Sequence, residues 1–106
     1  MKTLYITDLD GTLLRPDGSL SKFTASAVNS LTLEGMVFSY ATARSYVSAR
    51  RVTEGLSERI PVIIFNGTFV LDGETGEMLL SNYFTADEAA EVLEALFTGD
   101  VYPFVH

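Results

Sequence analysis

Short apolar runs and longer amphipathic stretches alternate along this chain. Leu4, Tyr5, Ile6 and Thr7 form an uncharged run rich in strand-forming residues, the composition of a strand buried on both faces of a parallel sheet. A loop follows from Arg15 to Leu20, marked by Pro16, Asp17 and Gly18. Ser19 or Ser21 can then cap a helix whose Phe23, Ala27 and Leu31 recur at every fourth position, with Val28 alongside and Gly35 as its stop. Met36–Tyr40 reads as a second buried strand, and Tyr46–Leu56 as a second amphipathic helix with Val47 or Ser48, Val52 and Leu56 inward and Arg50, Arg51 and Glu54 outward. Ser57–Ile60 connects to Pro61, which opens a third apolar strand, Val62–Phe65.

The remainder changes character. Phe69–Leu71 and Met78–Leu80 flank a polar segment, Asp72–Glu77, as a β-hairpin with a solvated loop. Thr85 and Glu88 make a capping box ahead of a helix that places Ala89, Val92, Leu93 and Leu96 on one face, with Gly99 ending it. Val101–His106 reads as one more extended segment. Strand, helix, strand, helix, strand implies an α/β fold with a parallel sheet.

Polar residues sit where each of the first three strands ends. Asp8 and Asp10 follow the first, with Gly11 and Thr12; Thr42, Ala43 and Arg44 follow the second; Asn66, Gly67 and Thr68 follow the third. Ligands of open α/β sheets bind beyond the carboxyl ends of the strands, so these three sequence-distant groups converge on one edge. Two carboxylates so close together repel unless a cation offsets them. A calcium-binding loop does not fit, because its twelfth position, counted from Asp8, is Ser19 rather than a Glu.

Asp8-Leu9-Asp10-Gly11-Thr12 followed by Leu13-Leu14 resembles the nucleophile motif of the haloacid dehalogenase-like (HAD) hydrolases. Ala41-Thr42-Ala43-Arg44 is similar to the Ala-Thr-Gly-Arg of the Cof-type sugar-phosphate phosphatase branch, with Ala43 departing from its Gly. Asn66-Gly67-Thr68 fits a glycosylation sequon or an Asn-Gly hairpin turn between Ile64-Phe65 and Phe69-Val70, and it is also similar to the Asn-Gly-Ala that this branch carries after its third strand, with Thr68 in place of the Ala. The resemblance implies a Rossmann-like HAD core and a magnesium-dependent phosphatase of small phosphorylated metabolites working through an aspartyl-phosphate. By position, Asp8 is then the nucleophile and a magnesium ligand. Asp10 is the general acid and base and lends its backbone carbonyl to the metal. Gly11 lets the backbone approach phosphate with Thr12 beside it, Thr42 binds the phosphoryl oxygen, and Ala43, Arg44 and Asn66 lie against the substrate. Residues 1–82 correspond to part of the core with the hairpin, and 83–106 to the start of a cap. The family's later Lys and acidic cluster have no counterpart, since Lys2 and Lys22 are the only lysines and both precede the second strand. The chain therefore reads as an N-terminal portion with little turnover alone.

Composition narrows the alternatives. The 106 residues are 47% hydrophobic and 20% charged, enough for one small core. The net charge of -7 argues against a nucleic-acid partner, whose phosphates require clustered Lys and Arg, and leaves local positive charge to magnesium, helix N-termini and a few basic side chains. No run approaches the length of a membrane span and Cys is absent, which together make a cytoplasmic protein the default. An uncovered strand edge would invite self-association. Two other functions compete: a receiver-like phospho-acceptor domain, and a metal-binding or assembly module without chemistry. Blander roles compete residue by residue. Thr42 can serve only as a helix N-cap, Arg44, Arg50 and Arg51 can be solvated, and His106 is a chain terminus.

Overall fold

The computed structural model describes residues 3–57 and 61–102. Strand β1 (Leu4–Thr7) leads through a wide turn, Leu9–Leu13, to helix α1 (Lys22–Leu33), strand β2 (Val37–Tyr40) and helix α2 (Tyr46–Val52). Strands β3 (Val62–Ile64), β4 (Phe69–Leu71) and β5 (Met78–Ser81) follow, and helix α3 (Ala86–Thr98) comes last. β1 and β2 are parallel, with Leu4 opposite Val37 and Thr7 opposite Tyr40. A parallel bridge between Ala41 and Ile63 joins β2 to β3, and β3, β4 and β5 continue antiparallel. The fold is α/β with a parallel region, as the alternation of elements predicts.

The core lies on the β2–β3 side. Leu9, Leu14, Tyr40, Ala49, Val62, Ile64 and Leu71 are buried, with Leu13, Leu20, Val52 and Phe69 packed around them. Two buried hydroxyls donate to backbone carbonyls, Ser39 Oγ to Pro61 just ahead of the next strand at 2.6 Å and Thr53 Oγ1 to Ala49 within its own turn at 2.9 Å.

Several expectations are corrected. β1 is not buried on both faces: Leu4, Tyr5 and Ile6 are each about half exposed, because β2 is the only described strand paired with it. Its apolar composition is that of an interior strand, yet among the described residues no strand pairs with its other edge. On α1, Ser21 is the N-cap, its Oγ accepting from the Thr24 N–H at 3.0 Å, but the Phe23–Ala27–Leu31 stripe does not face the core. Phe23 and Leu31 are exposed and only Ala27 of the stripe is half-buried, together with Thr24, Val28 and Thr32. Asn29 supplies the physical reason. Its Nδ2 donates to the Gly55 carbonyl at 2.6 Å and its Oδ1 accepts from the Ser57 N–H at 2.9 Å, rotating the helix toward the loop after α2.

α2 stops at Val52 rather than Leu56, since Thr53 caps it and Gly55, at φ +103°, takes a left-handed conformation that a helix cannot continue through. Of the two inward options at its start, Ser48 is half-buried and Val47 is exposed, and Ala49 is buried as well. The hairpin loop is not merely solvated. Asp72 Oδ1 accepts from the N–H groups of Glu74 and Thr75, both at 2.9 Å, and Gly73 is buried. Tyr46 Oη donates to the Gly73 carbonyl at 3.3 Å and accepts from Arg50 Nη1 at 2.7 Å, so the loop docks on α2.

The capping box of α3 forms as predicted, Thr85 and Glu88 exchanging hydrogen bonds at 3.1 and 3.2 Å. No residue of α3 is fully buried; on its apolar face Ala89, Leu93 and Leu96 are half-buried and Val92 is exposed. Gly99 caps the helix, and the left-handed residue beyond it is Asp100, at φ +56°. Val101 and Tyr102 are not in a strand; the rest of the predicted final extended segment, with His106, lies outside the described residues.

Candidate active site

The turn after β1 is anchored from below and open above. Leu9, fully buried, pins it to the core, and i to i+5 hydrogen bonds from Leu13 N–H to the Asp8 carbonyl (3.3 Å) and from Leu14 N–H to the Leu9 carbonyl (3.0 Å) close it. Wide turns of this kind concentrate at functional sites. Within it Gly11 adopts φ +78°, a left-handed conformation that costs a residue with a Cβ about 1–2 kcal/mol. Asp8, Asp10, Gly11 and Thr12 are all exposed on this turn. Asp8 Oδ1 accepts from the Leu9 N–H at 2.8 Å.

Thr42 is buried beside the end of β2, 3% exposed. It is not the N-cap of α2: Ser45 takes that place, accepting from the Ser48 N–H at 3.2 Å. Instead Thr42 organises the chain around it. Its Oγ1 accepts from the Arg44 N–H at 3.1 Å, its N–H donates to the Ile63 carbonyl at 2.9 Å, and its carbonyl accepts from the Asn66 N–H at 2.9 Å. The Phe65 N–H donates to the Arg44 carbonyl at 3.0 Å. Thr42–Arg44 and Phe65–Asn66 are thereby laced together.

That lacing holds an unusual backbone. Phe65 and Asn66 have φ of +46° and +54°, ahead of Gly67 at +94°. Asn tolerates the left-handed region, but Phe there is an outlier. Such strain persists where surroundings over-determine it, here the two cross-segment hydrogen bonds and the Phe65–Phe69 ring contact at 6.0 Å. The Asn66-Gly67-Thr68 segment is at once the connection of the β3–β4 hairpin and part of the sheet edge, though the connection spans Phe65–Thr68 rather than a two-residue Asn-Gly turn.

Arg44 is neither free nor merely solvated. Its Nε donates to Asp10 Oδ2 at 2.8 Å and its Nη2 to Asp10 Oδ1 at 2.7 Å, a two-point fork, while Nη1 donates to Ser48 Oγ at 2.8 Å. The hydrogen bonds from Arg44 hold the Asp10 carboxyl below the usual range against the opposing effect of desolvation, with the Arg44 charge adding to them; the guanidinium is pushed up in turn. Ser48 is a residue that sequence reasoning missed. Its signal was present, since Arg44 and Ser48 stand one helical turn apart. Ala43 is exposed between them and Thr42.

Among the described residues no group of three or more His, Cys, Asp or Glu side chains could hold a metal ion. Magnesium does not require one, because it is held by one or two carboxylates with phosphate oxygens and water. The exposed Asp8 carboxylate fits that role. The Asp10 side chain, engaged by Arg44, does not, which leaves the Asp10 backbone carbonyl as its contribution. A cavity of about 640 Å³ lies elsewhere, between the end of α2 and the hairpin loop, lined by Arg50, Arg51 and Glu74 but by none of the candidate residues.

Comparison with known proteins places the chain in a family. A family model described as haloacid dehalogenase-like hydrolase matches residues 5–106. An HMP-PP phosphatase of Serratia proteamaculans is 37% identical over 100 residues, covering 94% of this chain and 36% of the relative. A 5-amino-6-(5-phospho-D-ribitylamino)uracil phosphatase of Bacillus subtilis is 34% identical over 67 residues, 63% of this chain and 25% of that protein. The solved structure of a haloacid dehalogenase-like hydrolase from B. subtilis superposes with a TM-score of 0.78 at 27% identity, covering 94% of this chain and 34% of that one. The chain thus spans about a third of the length of the relatives it matches.

Proposed function

The chain belongs to the haloacid dehalogenase-like hydrolase family, and on that footing we propose that it carries the nucleophile-bearing part of a magnesium-dependent phosphatase of small phosphorylated metabolites. The observation that carries this reading is the meeting of three chain segments: the exposed Asp10 carboxylate of the Leu9–Leu13 turn, two residues after Asp8, is tied through Arg44 to the lacing of Thr42–Arg44 with Phe65–Asn66.

The chemistry follows from the residues. An oxygen of Asp8 attacks phosphorus, forming an acyl phosphate as the bond from phosphorus to the leaving oxygen breaks. Asp10 gives that oxygen its proton. A water then loses a proton to Asp10 and attacks the same phosphorus, releasing inorganic phosphate and restoring the Asp8 carboxylate. Magnesium, held by Asp8 and the Asp10 carbonyl, would offset the negative charge that otherwise keeps a carboxylate from a phosphate ester. Thr42, with its hydroxyl fixed by the Arg44 N–H, and Asn66, with its backbone fixed to Thr42, border the phosphoryl group; Gly11 and Thr12 present the turn's backbone to it.

The division into a core through residue 82 and a cap segment from 83 belongs to the same proposal. Its support is that no residue of α3 belongs to the buried core or packs against it.

Beryllium trifluoride, which forms an acyl-phosphate-like adduct with a carboxylate, tests the reading by fluorine NMR. A bound signal that needs both magnesium and Asp8 is expected. Retention of the signal in Asp8→Asn, or its failure to form with wild type, would overturn the proposal.

A further inference from the structure

Asp10 has to reach a leaving oxygen, yet both of its carboxylate oxygens are held by one guanidinium, through Nε and Nη2 at 2.8 and 2.7 Å. We propose that Arg44 is an anion-responsive clamp: it holds Asp10 aside while the site is empty and releases it when a phosphoryl group draws the guanidinium away. This inference rests on the phosphatase reading above and adds to it the coupling between substrate arrival and the freedom of Asp10.

The construction of the clamp supports a switch rather than a fixed strut. A forked Arg–carboxylate pair is specific in geometry, and a phosphate offers the same pairing face as a carboxylate with more negative charge. The two anions therefore compete for one fork. Ser48 Oγ, held on α2, engages the remaining Nη1 at 2.8 Å and gives the side chain a pivot that does not depend on Asp10. Both partners are within reach of solvent, with side chains 26% exposed for Arg44 and 54% for Asp10, so neither needs to be unburied for the exchange. Exposed ion pairs are weak, and an incoming anion can displace one. The backbone of Arg44 stays in place throughout, because its N–H is bonded to Thr42 Oγ1 and its carbonyl to the Phe65 N–H. Only the side chain has to move.

A double-mutant cycle on the binding of inorganic phosphate, without magnesium, tests the clamp. Asp10→Asn cannot reproduce the fork, since an amide offers one acceptor and turns a donor toward the other N–H. It should bind phosphate about two- to fivefold tighter than wild type, the range expected for freeing a guanidinium from an exposed pair. Arg44→Gln should bind more weakly, and in that background the gain from Asp10→Asn should disappear. Arg44→Lys, which keeps the charge but has no fork, should keep phosphate binding and show a smaller gain. In wild type, phosphate should shift the Arg44 Nε–H and Asp10 carboxyl resonances together. Equal gains from Asp10→Asn in all backgrounds would reduce its effect to bulk charge and overturn the clamp, as would an absence of phosphate binding in every protein. The ratios are expected to survive Asp8→Asn, so a failed clamp and a failed nucleophile give different results.

Discussion

Gly76→Ala probes how the hairpin supports the site. Gly76 has φ +77°, and a Cβ built there lies 2.8 Å from Tyr46 Cε2 and 3.2 Å from Cζ. The left-handed backbone alone costs an alanine about 1–2 kcal/mol. The ring must then swing away, loosening the 3.3 Å bond from Tyr46 Oη to the Gly73 carbonyl and the Arg50 contact, a loss of about 1 kcal/mol. Stiffening of the unfolded chain offsets about 0.4–1 kcal/mol of this. A net loss of about 2 kcal/mol is expected, large against a domain stability of about 5–15 kcal/mol. Urea unfolding should show a lower midpoint with an unchanged slope. In a Tyr46→Ala background the steric part should vanish and only the backbone part remain. A cost below about 0.5 kcal/mol, the ordinary scatter of surface substitutions, or an equal cost in both backgrounds would refute the docking of this loop on α2.

Other expectations can be checked on the same material. Thr85→Ala should cost about 1 kcal/mol, confined to α3, and show as faster amide exchange at Glu88 and Ala89 with the strands unaffected. Asn66→Gly should be nearly neutral for folding, whereas Asn66→Ala should lose about 1 kcal/mol because its φ of +54° is left-handed; equal stability of the two by thermal unfolding would contradict that strain. Backbone N–H bonds from Thr75 and then Glu74 hold Asp72 below the usual carboxylate range, and the Thr85 N–H does the same for Glu88. A depressed folded-state value means stability that is present above the unfolded value near 4 and lost as pH falls through the lower folded value. Stability should therefore be flat from about pH 5 to 8 with respect to these groups and decline below about pH 4, and Asp72→Asn, which can still accept both bonds, should flatten part of that acid-side decline.

Local chemistry was legible in the sequence wherever one residue decides its own neighbourhood. The Ser21 option for the α1 cap, the Thr85–Glu88 box and the five strand runs between Leu4 and Leu80 turned out as the residue types require, because caps and strand propensities act within a few positions. The gathering of site segments at one sheet edge was legible too, since it follows from parallel topology. What escaped was orientation set by distant partners. Two hydrogen bonds from Asn29 choose which face of α1 turns inward, although the apolar stripe lies elsewhere. Docking of the hairpin depends on Tyr46 meeting a glycine thirty positions on, and the Arg44–Asp10 fork links residues 34 apart. The exposure of β1 misled for another reason. Residue type records the environment a strand is suited to, and here that suitability exceeds what the described neighbours provide.

Radiolabelled acetyl phosphate, presented with magnesium and followed by peptide mapping, asks most directly whether Asp8 takes a phosphoryl group. The label should be stable in acid, sensitive to hydroxylamine, confined to the peptide containing Asp8, dependent on magnesium and absent from Asp8→Asn. Label on another residue, or label undiminished by Asp8→Asn, would contradict the account.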